Sequence, residues 1–150
     1  MVQILLVDDH FLVRSALKRL VERNKGFKVV AEASNGEEAI EMVRKHSFDV
    51  VTMDLSMPIK NGIEATKEIR TFDRNTPILA ISMNDDPNRV KQMMEAGANG
   101  YILKTSSYDE IVEAIKEVVS NNIFISRELS KETREIILHF IKNNKTQSKH

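Results

Sequence analysis

The chain has 150 residues, enough for one compact domain, and its 41% hydrophobic and 29% charged composition is that of an ordinary globular protein. Lysine plus arginine and aspartate plus glutamate both number 22, so the basic surplus that marks a nucleic-acid binder is missing, and no apolar run reaches the roughly 18 residues of a membrane span. The N-terminus lacks a signal peptide's charged and apolar regions, and the absence of cysteine removes disulfides, thiol nucleophiles and thiolate metal sites, which together fit a cytoplasmic location with no membrane role.

Residues 3–7 form a nearly continuous apolar run, and 11–21 follow with helical spacing at Val13, Ala16, Leu17, Leu20 and Val21. A second strand begins at 29–31, with its helix over 36–44. A third strand at 50–53 leads to a helix over about 63–72. The fourth and fifth strands lie at 78–81 and 101–103, followed by helices over about 88–96 and 109–119. Asn35-Gly36, Asn61-Gly62 and Ala96-Gly97 punctuate the junctions as turns and helix entries. Beyond Val119, Asn121 and Asn122 break the helix, residues 123–125 are an apolar touchdown, and Ser126 is placed to cap a further helix. Leu129, Ile136, Ile137, Phe140 and Ile141 then form an apolar stripe, and the polar tail from Asn143 to His150 is expected to fray. The alternation predicts α/β units joined by right-handed crossovers. The result is a doubly wound, five-stranded parallel sheet in three layers, with an extra C-terminal helix.

Ligands of such sheets bind beyond the carboxyl ends of the strands. Asp8 and Asp9 follow the first apolar run without a gap, Asp54 the third, Ser82 the fourth and Lys104 the fifth. Taken singly, an aspartate there is usually a cap or turn residue, the serine satisfies a loop amide and the lysine is a surface charge. Together they describe a site. Three carboxylates at one rim repel unless a cation intervenes, and a hard divalent ion such as Mg2+ suits that donor set. His10 reads as a polar residue at the mouth of the first helix rather than a metal ligand, since the four histidines are scattered.

Val7-Asp8-Asp9-His10, Met53-Asp54-Leu55-Ser56-Met57-Pro58, Asn61-Gly62, Ile81-Ser82 and Tyr101-Ile102-Leu103-Lys104 resemble the receiver domain of two-component response regulators over about residues 2–120. Residues 33–39 and 96–101 are similar to the NarL/FixJ-type subfamily. The resemblance implies a flavodoxin-like sheet of strand order 2-1-3-4-5. It divides the chain into a receiver domain at 1–120 and, at 121–150, a linker, amphipathic helix and polar tail. Asp54 would be the phosphoacceptor, taking a phosphoryl group from a sensor histidine kinase or phosphotransfer protein. Asp9 and Asp54 would hold Mg2+ directly, Asp8 through water, and the Ser56 backbone carbonyl would complete the protein ligands. Lys104 would pair with the phosphoryl oxygens, and Ser82 would bond to them afterwards, leaving space for Tyr101 to enter as the switch. The second reading of Tyr101 is an edge-strand aromatic packed on the fourth helix. Such a protein catalyses only its own phosphorylation and dephosphorylation, and is otherwise a regulator of transcription or of a partner.

Two residues depart from the family pattern. Met83 follows the switch hydroxyl where a small residue is common, which implies a narrower entrance and poorer use of small donors. Thr105 follows Lys104 where proline is frequent, which implies a trans peptide or a more mobile lysine loop there. Family members continue into a helix-turn-helix DNA-binding domain, and the 129–141 helix supplies too little for one. The expectation is a single-domain regulator or a fragment, touching DNA only through an output domain absent from this chain. The apolar stripe is expected to dock on the domain or to pair with a second copy as a homodimer. Two other functions compete. A phosphatase built on an aspartyl phosphate usually carries a second aspartate two residues on, where this chain has Ser56. A phosphorylation-independent binding module would not need the acidic pair, Asp54 and Lys104.

Overall fold

Six strands alternate with six helices: β1 (Val2–Val7), α1 (Phe11–Val21), β2 (Phe27–Ala33), α2 (Gly36–Lys45), β3 (Val50–Met53), α3 (Gly62–Phe72), β4 (Ile78–Ser82), α4 (Pro87–Ala96), β5 (Gly100–Leu103), α5 (Tyr108–Val119), β6 (Phe124–Ile125) and α6 (Lys131–Ser148). This computed structural model describes the backbone of residues 1–148 and the side chains of residues 1–144. The strands form one parallel sheet of order β2-β1-β3-β4-β5-β6. Strand residues alternate between two cores. Leu5, Val7, Val51, Met53, Ile78, Ala80 and Tyr101 face the layer of α2, α3 and α4, whereas Ile4, Leu6, Val50, Leu79, Ile81 and Ile102 face α1 and α5. Burial on both faces is why the strands read as unbroken apolar runs.

The sheet has six strands where the sequence suggested five. The apolar touchdown at 123–125 is a short parallel strand, with Gly100 opposite Phe124 and Tyr101 opposite Ile125. A two-residue strand carries too little periodicity to be read before its partner is known. As a consequence β5 is internal, and Tyr101 is not the edge-strand aromatic of its second reading.

Helix entries follow from side-chain caps. Asn35 Oδ1 accepts from Glu38 N at 2.9 Å, and Asn61 with Glu64 forms a reciprocal capping box. Ser126 does not cap α6. Ser130 does, its Oγ accepting from Thr133 N at 3.1 Å. Ser126 is instead buried, and its hydroxyl donates to Glu110. The expected stripe is present, with Leu129 and Ile137 buried and Phe140 and Ile141 packed against the α2–α4 core. The backbone of α6 is helical through Ser148, and the end of the tail expected to fray, Lys149 and His150, lies outside the described residues.

Candidate phosphoacceptor site

Strand register brings the polar residues together. Val7 pairs with Met53, so the residues that follow them, Asp8 and Asp54, emerge side by side, with Asp54 N donating to Val7 O at 3.1 Å. Ser82 pairs with Leu103, and Lys104 N donates to Ser82 O at 2.9 Å. Arg14 braces the first of these ends, its guanidinium reaching Asp8 O at 2.6 Å and Glu32 Oε1 at 2.9 Å. Gly62 sets the height of Asp54, because an added Cβ there would lie 2.1 Å from the Asp54 carbonyl oxygen. Its role goes beyond a helix entry.

Asp8 and Asp54 are buried and Asp9 is half-buried. Lys104 Nζ donates to Asp54 Oδ2 at 3.2 Å and stands 2.7 Å from Asp8 Oδ2. The second contact is an ion pair, and a carboxylate oxygen has lone pairs beyond one such contact, so Asp8 and Asp9 retain acceptor capacity. One lysine against three carboxylates leaves the pocket short of positive charge. Burial raises the Asp54 carboxyl above its ordinary value, Lys104 draws it down and Asp8 pushes it up again. For Lys104, burial acts downward, but Asp8 and Asp54 outweigh it and hold the ammonium above its usual range.

Ligand atoms of Asp8, Asp9, His10 and Asp54 lie within 4.8 Å of one another. Oxygen donors with unfilled acceptor capacity and a surplus of negative charge fit a hard divalent ion. His10, set aside on sequence, stands with this group: its Nδ1 is 3.0 Å from Asp9 Oδ1 and its backbone N–H donates to Asp8 Oδ1 at 2.9 Å. Above the carboxylates opens a cavity of about 320 Å³ lined by His10, Asp54, Ser56, Ser82, Met83, Asn84 and Lys104. Met83 is exposed at its mouth. All peptide bonds among the described residues are trans, that of Thr105 included.

Ser82 and Tyr101 meet at Asn84. Ser82 Oγ accepts from Asn84 N at 3.0 Å, and the Tyr101 hydroxyl donates to the Asn84 carbonyl. Tyr101 lies fully inside, and its phenol is pushed up to about 12, chiefly by burial although Ser82 acts the other way. Sequence reasoning gave Asn84 no place at this junction, because a backbone carbonyl leaves no trace in residue type. It also passed over Glu110, whose place in the first turn of α5 looks like an ordinary helix-start acid.

The profile of the family described as "Response regulator receiver domain" matches residues 4–116. This chain belongs to the response regulator receiver family. Among curated relatives, the receiver is similar to the response regulator UvrY of Escherichia coli (strain K12), 38% identical over 148 residues, 99% of this chain and 66% of UvrY. It is also similar to the transcriptional regulatory protein DegU of Brevibacillus brevis, 36% identical over 140 residues, 91% of this chain and 59% of DegU. The chain therefore spans about three-fifths to two-thirds of these relatives' lengths. A LuxR-family two-component response regulator from Aurantimonas sp. SI85-9A1 superposes with a TM-score of 0.86 at 38% identity, covering 92% of this chain and 99% of that one. The receiver is of the NarL/FixJ type, a regulatory domain of a two-component system on a flavodoxin-like fold. No helix among the described residues is long and apolar enough to cross a membrane.

Proposed function

We propose that Asp54 accepts a phosphoryl group from a phosphohistidine of a sensor kinase or phosphotransfer protein, and that the acceptance switches the domain. A carboxylate oxygen of Asp54 forms the new P–O bond as the donor's N–P bond breaks, and the electron pair leaves on the imidazole nitrogen. Lys104 stands where it neutralises the phosphoryl oxygens, and Ser82 borders the same cavity as a hydroxyl donor to them. Asp8, Asp9, Asp54 and the Ser56 carbonyl would hold Mg2+, which supplies charge neutralisation between carboxylates and phosphoryl group. The receiver unit is centred on 1–120, and 121–150, expected as linker, helix and tail, adds β6 and α6 to it. The protein works in the cytoplasm, and transcriptional output, named for DegU, requires a DNA-binding part beyond these residues.

A protein donor is favoured by the rim of the cavity. Phe11, Leu12, Ile59 and Met83 are all exposed apolar residues on loops or helix starts around the Asp54 end of the sheet. A small donor has no use for that surface, whereas a docked protein covers it. The reading is carried by one observation: a buried carboxylate bonded to a lysine, beside two further carboxylates, at the floor of an open cavity. Beryllofluoride with Mg2+, a mimic of the acyl phosphate, tests it. Wild type should change its amide spectrum and Asp54→Asn should not; equal behaviour of the two would remove Asp54 from this role. Tyr101→Ala is expected to bind the mimic yet lose phosphorylation-dependent output.

A further inference from the structure

Glu110 is a buried carboxylate with no part in the chemistry above. Its Oε1 accepts hydrogen bonds from two buried hydroxyls, Ser106 Oγ at 2.9 Å and Ser126 Oγ at 2.7 Å. The first belongs to the loop that carries Lys104. Ser106 Oγ also accepts from Leu103 N at 3.2 Å, and Ser106 N donates to Leu103 O at 2.9 Å, so Lys104 sits inside a closed turn. The second belongs to the C-terminal segment. Ser126 N donates to Tyr101 O at 2.9 Å, and Ser126 Oγ accepts from Glu128 N at 3.1 Å, which directs the chain toward α6. Thr105 adds a longer contact, its hydroxyl 3.4 Å from Glu128 Oε2.

At its other end the segment reaches the opposite side of the cavity. Ile137 is buried in the core formed with Met93 and Met94 of α4, and α4 begins directly after the loop of Ser82 and Asn84. The segment is thus fastened to both loops that border Asp54. A buried carboxylate is costly unless its acceptors are filled, and hydrogen bonds to a charged group are the strong ones.

We propose that Glu110 is a positioning residue that joins the Lys104 loop and the C-terminal segment into one buried unit, coupling phosphoryl binding at Asp54 to the docking of α6 on α4. The proposal rests on the reading of Asp54 as phosphoacceptor. A phosphoryl group there offers Lys104 new acceptors in place of Asp8, and the shift of its loop passes through Ser106 and Glu110 to Ser126. Coupling of this kind is reciprocal, so loosening the junction weakens binding at Asp54.

The test uses the full chain with beryllofluoride and Mg2+, reading both affinity and hydrogen exchange of α6. In wild type the mimic should slow α6 exchange, the sign that weaker binding by a loosened junction requires. Ser126→Ala should bind the mimic about fivefold more weakly, the lower end of typical coupling, and should lose the mimic-dependent change in α6. A merely structural role would speed α6 exchange equally with and without the mimic and leave the affinity unchanged, which overturns the proposal. Should Ser126→Ala fail to fold, Glu110→Gln keeps the acceptor and removes the charge, and the same two readouts decide. Failure of wild type to bind the mimic overturns the Asp54 reading and the coupling with it. Binding that leaves wild-type α6 exchange untouched overturns the coupling alone.

Discussion

Asp54 is held by burial above the ordinary pKa of a carboxyl, Lys104 opposing and Asp8 reinforcing that rise. A carboxyl with a raised folded pKa favours the folded state fully only below its unfolded value, and the contribution is lost as pH rises through the folded value. At pH 7, without a bound cation, the ionised group works against folding. Asp54→Asn should then melt higher than wild type at pH 7 in chelator. The gain should shrink as pH falls toward the unfolded value of 3.8, and a variant no more stable at pH 7 would contradict the assignment. Ile59 carries a different strain. It is a β-branched residue at φ 68°, 76% exposed, on the loop after Asp54. The left-handed conformation costs an L-residue about 1–2 kcal/mol, and glycine's extra unfolded-state freedom returns roughly half of that. Ile59→Gly should raise the urea midpoint by the equivalent of about 0.5–1 kcal/mol, because almost no apolar burial is lost. Asp8, Asp54 and Lys104 were legible in sequence because each ends an apolar run without a gap. Ile59 was not, since nothing in residue type reveals φ.

The elements were read nearly to the residue wherever a cap or glycine marks the boundary, as at Asn61 for α3 and Gly97, φ 119°, after α4. The misplaced cap has a tertiary cause. Ser126 and Ser130 are both credible caps, and only the buried carboxylate of Glu110 assigns Ser126 elsewhere. Tertiary packing chose between two locally equal signals. The docking of α6 rests on few side chains, chiefly Ile137, which has no exposed surface. Truncating such a residue removes about 2–5 kcal/mol of packing. Ile137→Ala should therefore release α6 first. Its amides should exchange faster at denaturant levels where those of β1 and β3 keep full protection. Loss of protection in all three together would mean that α6 unfolds only with the whole domain.

For the whole molecule, equal totals of acidic and basic residues conceal a pocket with three carboxylates and one lysine. A cation bound there only in the folded state stabilises by mass action, about 2.7 kcal/mol at a hundredfold excess over its dissociation constant. Mg2+ should raise the melting temperature of wild type above its value in chelator, and Asp9→Asn should lose most of that rise; an equal rise in both would place the ion elsewhere. The sixth strand has a separate consequence, for association. Open sheet edges recruit strands from other chains, and short edges do so least. With only Phe124 and Ile125 at one border, the strand bearing Tyr101 is closed to such pairing, and the exposed border is β2, where Lys28 and Glu32 interrupt the apolar face. Aggregation of partly opened molecules should then begin at the border remote from Tyr101, and crowding at high expression should reduce the amount of soluble protein before it blurs the signal.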